Sequence, residues 1–192
     1  MIPLRHLSLC LVLIQTLAGA TLGGCSSSVR LEHQGLETSQ LQREVAQLRT
    51  LAVPSDGQDL AAELGRNLAW RGLVVQWLPL AHDRPQDRWP DASAPIDHAA
   101  LEAMRRLHQS DALLEVRSSQ GFDGELLLAQ VRLLRTPQAG QSGRLLSEVT
   151  WRNRSLGNGP GNTLHRLGRK GTEEAVREIV PLLLEGPPPP VR

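Results

Sequence analysis

The stretch ELLLAQVRLLRTPQAGQSGRLLSEVTWRNR, Glu125 to Arg154, decides the fold. Two long apolar runs flank TPQAGQSG, which holds one proline and two glycines, and the pattern reads as a β-hairpin. Glu125 to Arg135 is its first strand. Arg144 to Arg154 returns beside it, with Leu145, Val149 and Trp151 on one face. In the first strand apolar residues occupy both faces: Leu127, Ala129, Val131 and Leu133 on one, Leu126, Leu128 and Leu134 on the other. A strand with one solvated face alternates more cleanly, so something covers the second face. Either the chain's own helix at 38–50 folds over it, or a partner does. Leu126, Leu128 and Leu134 are therefore the candidate partner surface. Leu41, Val45 and Leu48 recur at i, i+4 and i+7 and need a surface in the same chain, which favours the helix.

Upstream, Ser55-Asp56 precedes GQDLAAELGRNLAWRG, a helix with Leu60, Leu64 and Leu68 in one stripe and Gly72 past its end. LVVQWLP, Leu73 to Pro79, is β-branched and stops at proline, so it reads as a strand. Residues 80–95 hold three prolines and form a surface loop. Asp97 caps a helix from Ala99 to His108, with Ala100, Leu101, Met104 and Leu107 inward; SDALLEVRSS follows as a strand and GFDG as a turn. Downstream, SLGNGPGN is a loop. A last helix begins near Thr163 or Thr172 and ends at Val180, because Pro181 forbids a clean continuation. The expected class is α/β (α+β): a small mixed sheet of about four strands with helices packed mainly on one face.

The N-terminus carries one cation, Arg5, then an uncharged apolar run from Leu7 to Ala20, the form of an export signal. That run is too short to span a bilayer comfortably, which takes roughly 20 residues. Leu22-Gly23-Gly24-Cys25 follows, and it resembles the bacterial lipobox: an aliphatic residue, two small ones, and the cysteine that takes the lipid. Cleavage is expected between Gly24 and Cys25, with acylation of the Cys25 thiol. Several acyl chains hold a protein stably to a membrane. Ser26 in place of Asp matches the usual sorting pattern for the outer membrane, periplasmic side. Cys10 leaves with the signal, so no disulfide is expected. The divisions are 1–24, signal; 25–49, lipidated cysteine and polar tether with a short helix; 50–185, globular domain; 186–192, Pro-rich tail.

Removing the signal leaves about 168 residues, one domain's worth, with basic and acidic side chains in balance. A neutral chain gives no electrostatic reason to expect nucleic acid. The aromatics are Trp70, Trp77, Trp89, Trp151 and Phe122, too few for a carbohydrate-binding face. His33, His82, His98, His108 and His165 lack the i, i+3 or i+4 partners of a helical metal site. His82 with its neighbouring aspartates reads as solvated charge. The GNGPGN segment lacks the Lys-Ser/Thr ending of a phosphate loop, and there is no G-x-S-x-G or S-x-x-K. Glu173-Glu174 suit the first turn of a helix. No catalytic residue, metal or cofactor is expected.

LAAELGRNLAWRGLVVQ, LEAMRRLHQSDALLEVRSS, VRLLRTPQAGQSGRLLSEVTW and EEAVREIV follow one another as helix–strand, helix–strand, hairpin and closing helix. This order resembles a group of small bacterial lipoproteins with a compact α/β domain. The group includes the curli-secretion type and the outer-membrane activators of penicillin-binding proteins. Two departures stand out: the strand ahead of the first helix is reduced to RTLAVPS, and the pore-forming insertions of the curli type have no counterpart. The resemblance implies a non-catalytic outer-membrane lipoprotein whose periplasmic domain binds or regulates another envelope protein. FDGELLLAQVRLL with its hairpin is similar also to auxiliary lipoproteins of ABC-type lipid transport, a second reading. An envelope hydrolase without a recognisable motif is the third.

Overall fold

The computed structural model describes residues 29–55, 59–79, 96–121, 125–138, 140–153 and 170–188. The signal with Gly24 and Cys25, the loop bearing His82 and Trp89, Phe122, the GNGPGN segment, His165 and the end of the tail lie outside the described residues. The elements in chain order are β1 (Val29–Gly35), α1 (Thr38–Val45), β2 (Thr50–Ser55), α2 (Asp59–Trp70) and β3 (Val74–Pro79). They continue with α3 (His98–His108), β4 (Ala112–Gln120), β5 (Leu126–Arg135), β6 (Arg144–Asn153) and α4 (Thr172–Glu185).

The strands form one mixed sheet in the order β1-β6-β5-β4-β2-β3. Six strands stand where about four were expected, and the additions are β1 and β2. TLAVPS is a full strand, parallel to β3 along its length and to β4 at Leu51 and Ala52. β1 lies inside the stretch read as a tether. It pairs antiparallel with β6 from Val29↔Asn153 to Gly35↔Ser147. An edge strand needs few apolar residues and is commonly guarded by charge, so VRLEHQG has the composition of a spacer while forming part of the sheet. The segment 29–35, read as tether, is thus a strand of the sheet.

Chain direction explains which face each crossover helix takes. The step β2–α2–β3 runs outward from β2, while β3–α3–β4 runs back across it. Parallel crossovers share a right hand, so two that run in opposite directions place their helices on opposite faces. The structure has α2 on the main face and α3 on the other. On the main face, Leu60, Leu64 and Leu68 of α2, Leu41 of α1, and Val176, Ile179 and Leu183 of α4 bury Leu51, Val53, Leu114, Val131, Leu133, Val149 and Trp151. On the second face Leu101, with Met104 and Ile96, covers Ala52, Leu78, Leu113 and Leu134. Leu107, expected inward, is 74% exposed, because α3 reaches the sheet along a short stripe only.

Two register shifts rearrange the predicted faces. Ser119 pairs with Leu128 but Gln120 with Leu126, so Leu127 is an extra residue in β5. Leu133 pairs with Ser147 but Leu134 with Leu145, so Leu146 is extra in β6. The second bulge sends Leu145 to the face opposite Val149 and Trp151, contrary to the simple alternation. Helix α4 also overrides its proline. It continues through Pro181 to Glu185, burying Leu183 and Leu184 beyond it.

Candidate partner surface

Leu126, Leu128 and Leu134 do not make one patch. The bulge at Leu127 turns Leu126 into the main core, and Leu134 lies under α3. Leu128 alone is half-exposed on the second face. Helix α1 and the turn after it dock on their own domain, with Leu41 and Leu48 buried and Val45 half-buried, but on the main face beside α4. The helix expected over the second face therefore lies on the other one.

The middle of that face is ionic. Glu115, Arg132 and Glu148 stand directly opposite one another on β4, β5 and β6. Arg132 Nη1 donates to Glu115 Oε2 at 3.2 Å, and its Nε lies 3.4 Å from Glu148 Oε2. Gln130 Nε2 donates to Glu148 Oε1 at 2.7 Å. Arg132 and Glu148 are both buried. An arginine between two carboxylates leaves them as stationary acceptors, and removing it strands two charges in a poorly solvated place. This row was missed in the sequence. Its signal was opposite charge at positions that the hairpin register brings face to face.

A second polar cluster fixes the start of β4. Asp111 Oδ2 accepts from the backbone N–H of Arg49 at 2.8 Å and of Thr50 at 2.9 Å, and from Thr50 Oγ1 at 3.2 Å. Partial burial opposes the charge on Asp111. The bonds from Thr50 and Arg49 and the nearby Arg135 outweigh it, holding the carboxyl below the ordinary aspartate value. Thr136 Oγ1 donates to the Ser110 carbonyl at 2.7 Å and ties β5 to the same point. An open cleft of about 470 Å³ lies between α3 and the β5–β6 connection, lined by His98, Glu102, Gln138 and Ser142 among others. Its Glu102 pairs with Arg106 at 2.8 Å.

Most of the other sequence candidates have partners within the domain, and two histidines stand at helix ends. His33 Nε2 lies 3.0 Å from Ser147 Oγ, and burial lowers its pKa. His98 and His108 are the two ends of α3. Glu174 accepts from the Gly171 N–H at 3.0 Å, ahead of α4, and Glu173 pairs with Arg177. Trp151 Nε1 donates to Glu178 at 2.8 Å. Among the described residues no three His, Cys, Asp or Glu are grouped to hold a metal, and no helix is long and apolar enough to cross a membrane.

Exposed apolar surface gathers instead at β3. This strand ends the sheet, and it carries no charge from Val74 to Pro79. Trp70 at the end of α2 is 90% exposed, Val74 58% and Trp77 46%. The indole of Trp77 lies over Gly65 of α2, where an added Cβ would come within 2.3 Å of Cη2. A glycine there is what leaves room for the ring against the helix. The sequence identified β3 as a strand but not as the edge, because strand order depends on long-range pairing.

No protein-family model matches the chain, and no curated protein matches it. A structural comparison matches it to the crystal structure of lipoprotein GNA1162 from Neisseria meningitidis, over 69% of this chain and 93% of that one, at 16% identity and a TM-score of 0.33. At that score the two do not define a common fold.

Proposed function

We propose that this chain is a lipid-anchored protein of the bacterial cell envelope whose α/β domain docks an extended strand of an envelope protein chain and performs no catalysis. The outer edge of β3 carries the reading. Soluble proteins guard such edges with charge, bulges or a covering element. Here the edge is uncharged, runs in unbroken register with β2, and is flanked by Trp70, Val74 and Trp77. Strand addition takes affinity from backbone hydrogen bonds and selectivity from flanking side chains, and this edge offers both. The arginine between Glu115 and Glu148 supports a structural role for the buried charges. Anchoring rests on Leu22-Gly23-Gly24-Cys25 after the apolar run, and outer-membrane retention facing the periplasm rests on Ser26.

A photoreactive residue at position 74, in intact cells, tests the docking. A discrete covalent adduct at 74 and none at Leu107, also exposed but on α3, is the expected result; no adduct at 74 would sink it. Anchoring is tested separately by mass spectrometry of the mature N-terminus and by fractionation of Cys25→Ser, which should leave the membrane.

A further inference from the structure

We infer that the strand docked on β3 is β3 of a second copy of this chain, antiparallel about a two-fold axis at Gln76. The inference rests on the reading of β3 as the docking edge and names its occupant.

Backbone parity fixes the register. The N–H of Val74 donates to the Arg49 carbonyl at 2.8 Å, toward β2. In a parallel pair a residue directs both backbone groups to one neighbour, and the next residue directs both away. Val74, Gln76 and Leu78 therefore bond inward, while Val75 and Trp77 present their N–H and C=O groups outward. Pro79 has no N–H and ends the usable edge.

An antiparallel mate uses every outward group when Val75 lies opposite the mate's Trp77. Each of the two such pairs exchanges two hydrogen bonds. Gln76 then faces its own image in a non-hydrogen-bonded pair, with Cα atoms roughly 4.5 Å apart. Val75 and Trp77 form aromatic–β-branched cross-strand pairs on one face, and Val74 meets Leu78 on the other.

Charge leaves self-pairing unopposed. A symmetric pair sets the same strand against itself, and β3 carries no charge that such pairing would oppose. The opposite edge, β1, carries Arg30 and Glu32. Trp70, Val74 and Trp77 add on the order of 300 Å² of apolar surface per copy. Two copies with their paired backbone approach the roughly 1,000 Å² of a specific interface. Anchoring in one membrane also concentrates identical edges in a single layer.

The test uses the full chain in its membrane. Gln76→Cys should give, on mild oxidation, a band at twice the chain's mass that collapses on reduction, because the two Cβ atoms are within disulfide reach. The unsubstituted chain and Leu107→Cys should give none. Differently tagged copies of Gln76→Lys alone, or Gln76→Glu alone, should lose at least tenfold in co-purification, and the Lys and Glu forms expressed together should recover it. A Gln76→Cys chain that forms no doubled band, or charge variants that do not restore each other, would overturn self-pairing. A cross-link from position 74 to a different protein overturns it too and leaves strand docking standing. No adduct at either position overturns both.

Discussion

Asp111 ties together two segments that lie some sixty residues apart in the chain. Its carboxylate joins the end of the segment before β2 to the start of β4, through two backbone N–H groups and a hydroxyl. Its folded pKa is depressed. The associated stability is thus complete above the unfolded value near 4 and is lost as pH falls through the lower folded value. His33 acts in the same direction for another reason. Burial keeps it neutral, so protonation opposes the fold as pH drops from about 6.5 toward its lowered folded pKa. Asp111→Asn should lose about 1–3 kcal/mol at pH 7 and less at pH 3. Urea unfolding at the two pH values checks this. An equal loss at both would show that charge is not what the site supplies.

Among the elements, α4 is the one whose continuation the sequence argues against. Pro181 lacks the N–H that would donate one turn back, yet the helix continues because Leu183 and Leu184 are buried beyond it. Pro181 itself is only half-buried. Pro181→Ala should therefore raise stability by about 1–2 kcal/mol, since proline costs roughly 3 relative to alanine inside a helix and recovers part by restricting the unfolded chain. A thermal midpoint that stays put or falls would mean that the proline is accommodated without strain. Elements with a strong period were readable from residues alone. The β5–β6 hairpin, α2 with its leucine stripe and the β4 strand all lie where the pattern puts them. What escaped depends on partners distant in the chain. β1 escaped because an edge strand need not alternate. The bulges at Leu127 and Leu146 escaped because an extra residue shows only against its neighbour, and the candidate patch of Leu126, Leu128 and Leu134 dissolved with them. The edge position of β3 escaped likewise, while its residues were already recognised as a strand.

Across the whole molecule, β1 and α1 close the sheet and the main core at the end opposite β3. Leu41 is completely buried among core residues. Leu41→Ala should cost about 2–5 kcal/mol, and a chain lacking 29–49 should lose cooperative unfolding. Calorimetry of both variants measures this; a truncated chain that melts as sharply as the intact one would show the segment to be dispensable.

The same closure shortens the leash. Only four residue steps separate Cys25 from Val29, the first residue of β1. Drawn out fully they span at most about 14 Å. Were Cys25 to carry the proposed lipid, the domain would ride against the headgroups and could not sweep the space beyond them. The β1 edge would then be moored beside the bilayer, with β3, five strand spacings or roughly 24 Å across the sheet, as the far rim. Whatever met that rim would have to come to the membrane or already be moored there.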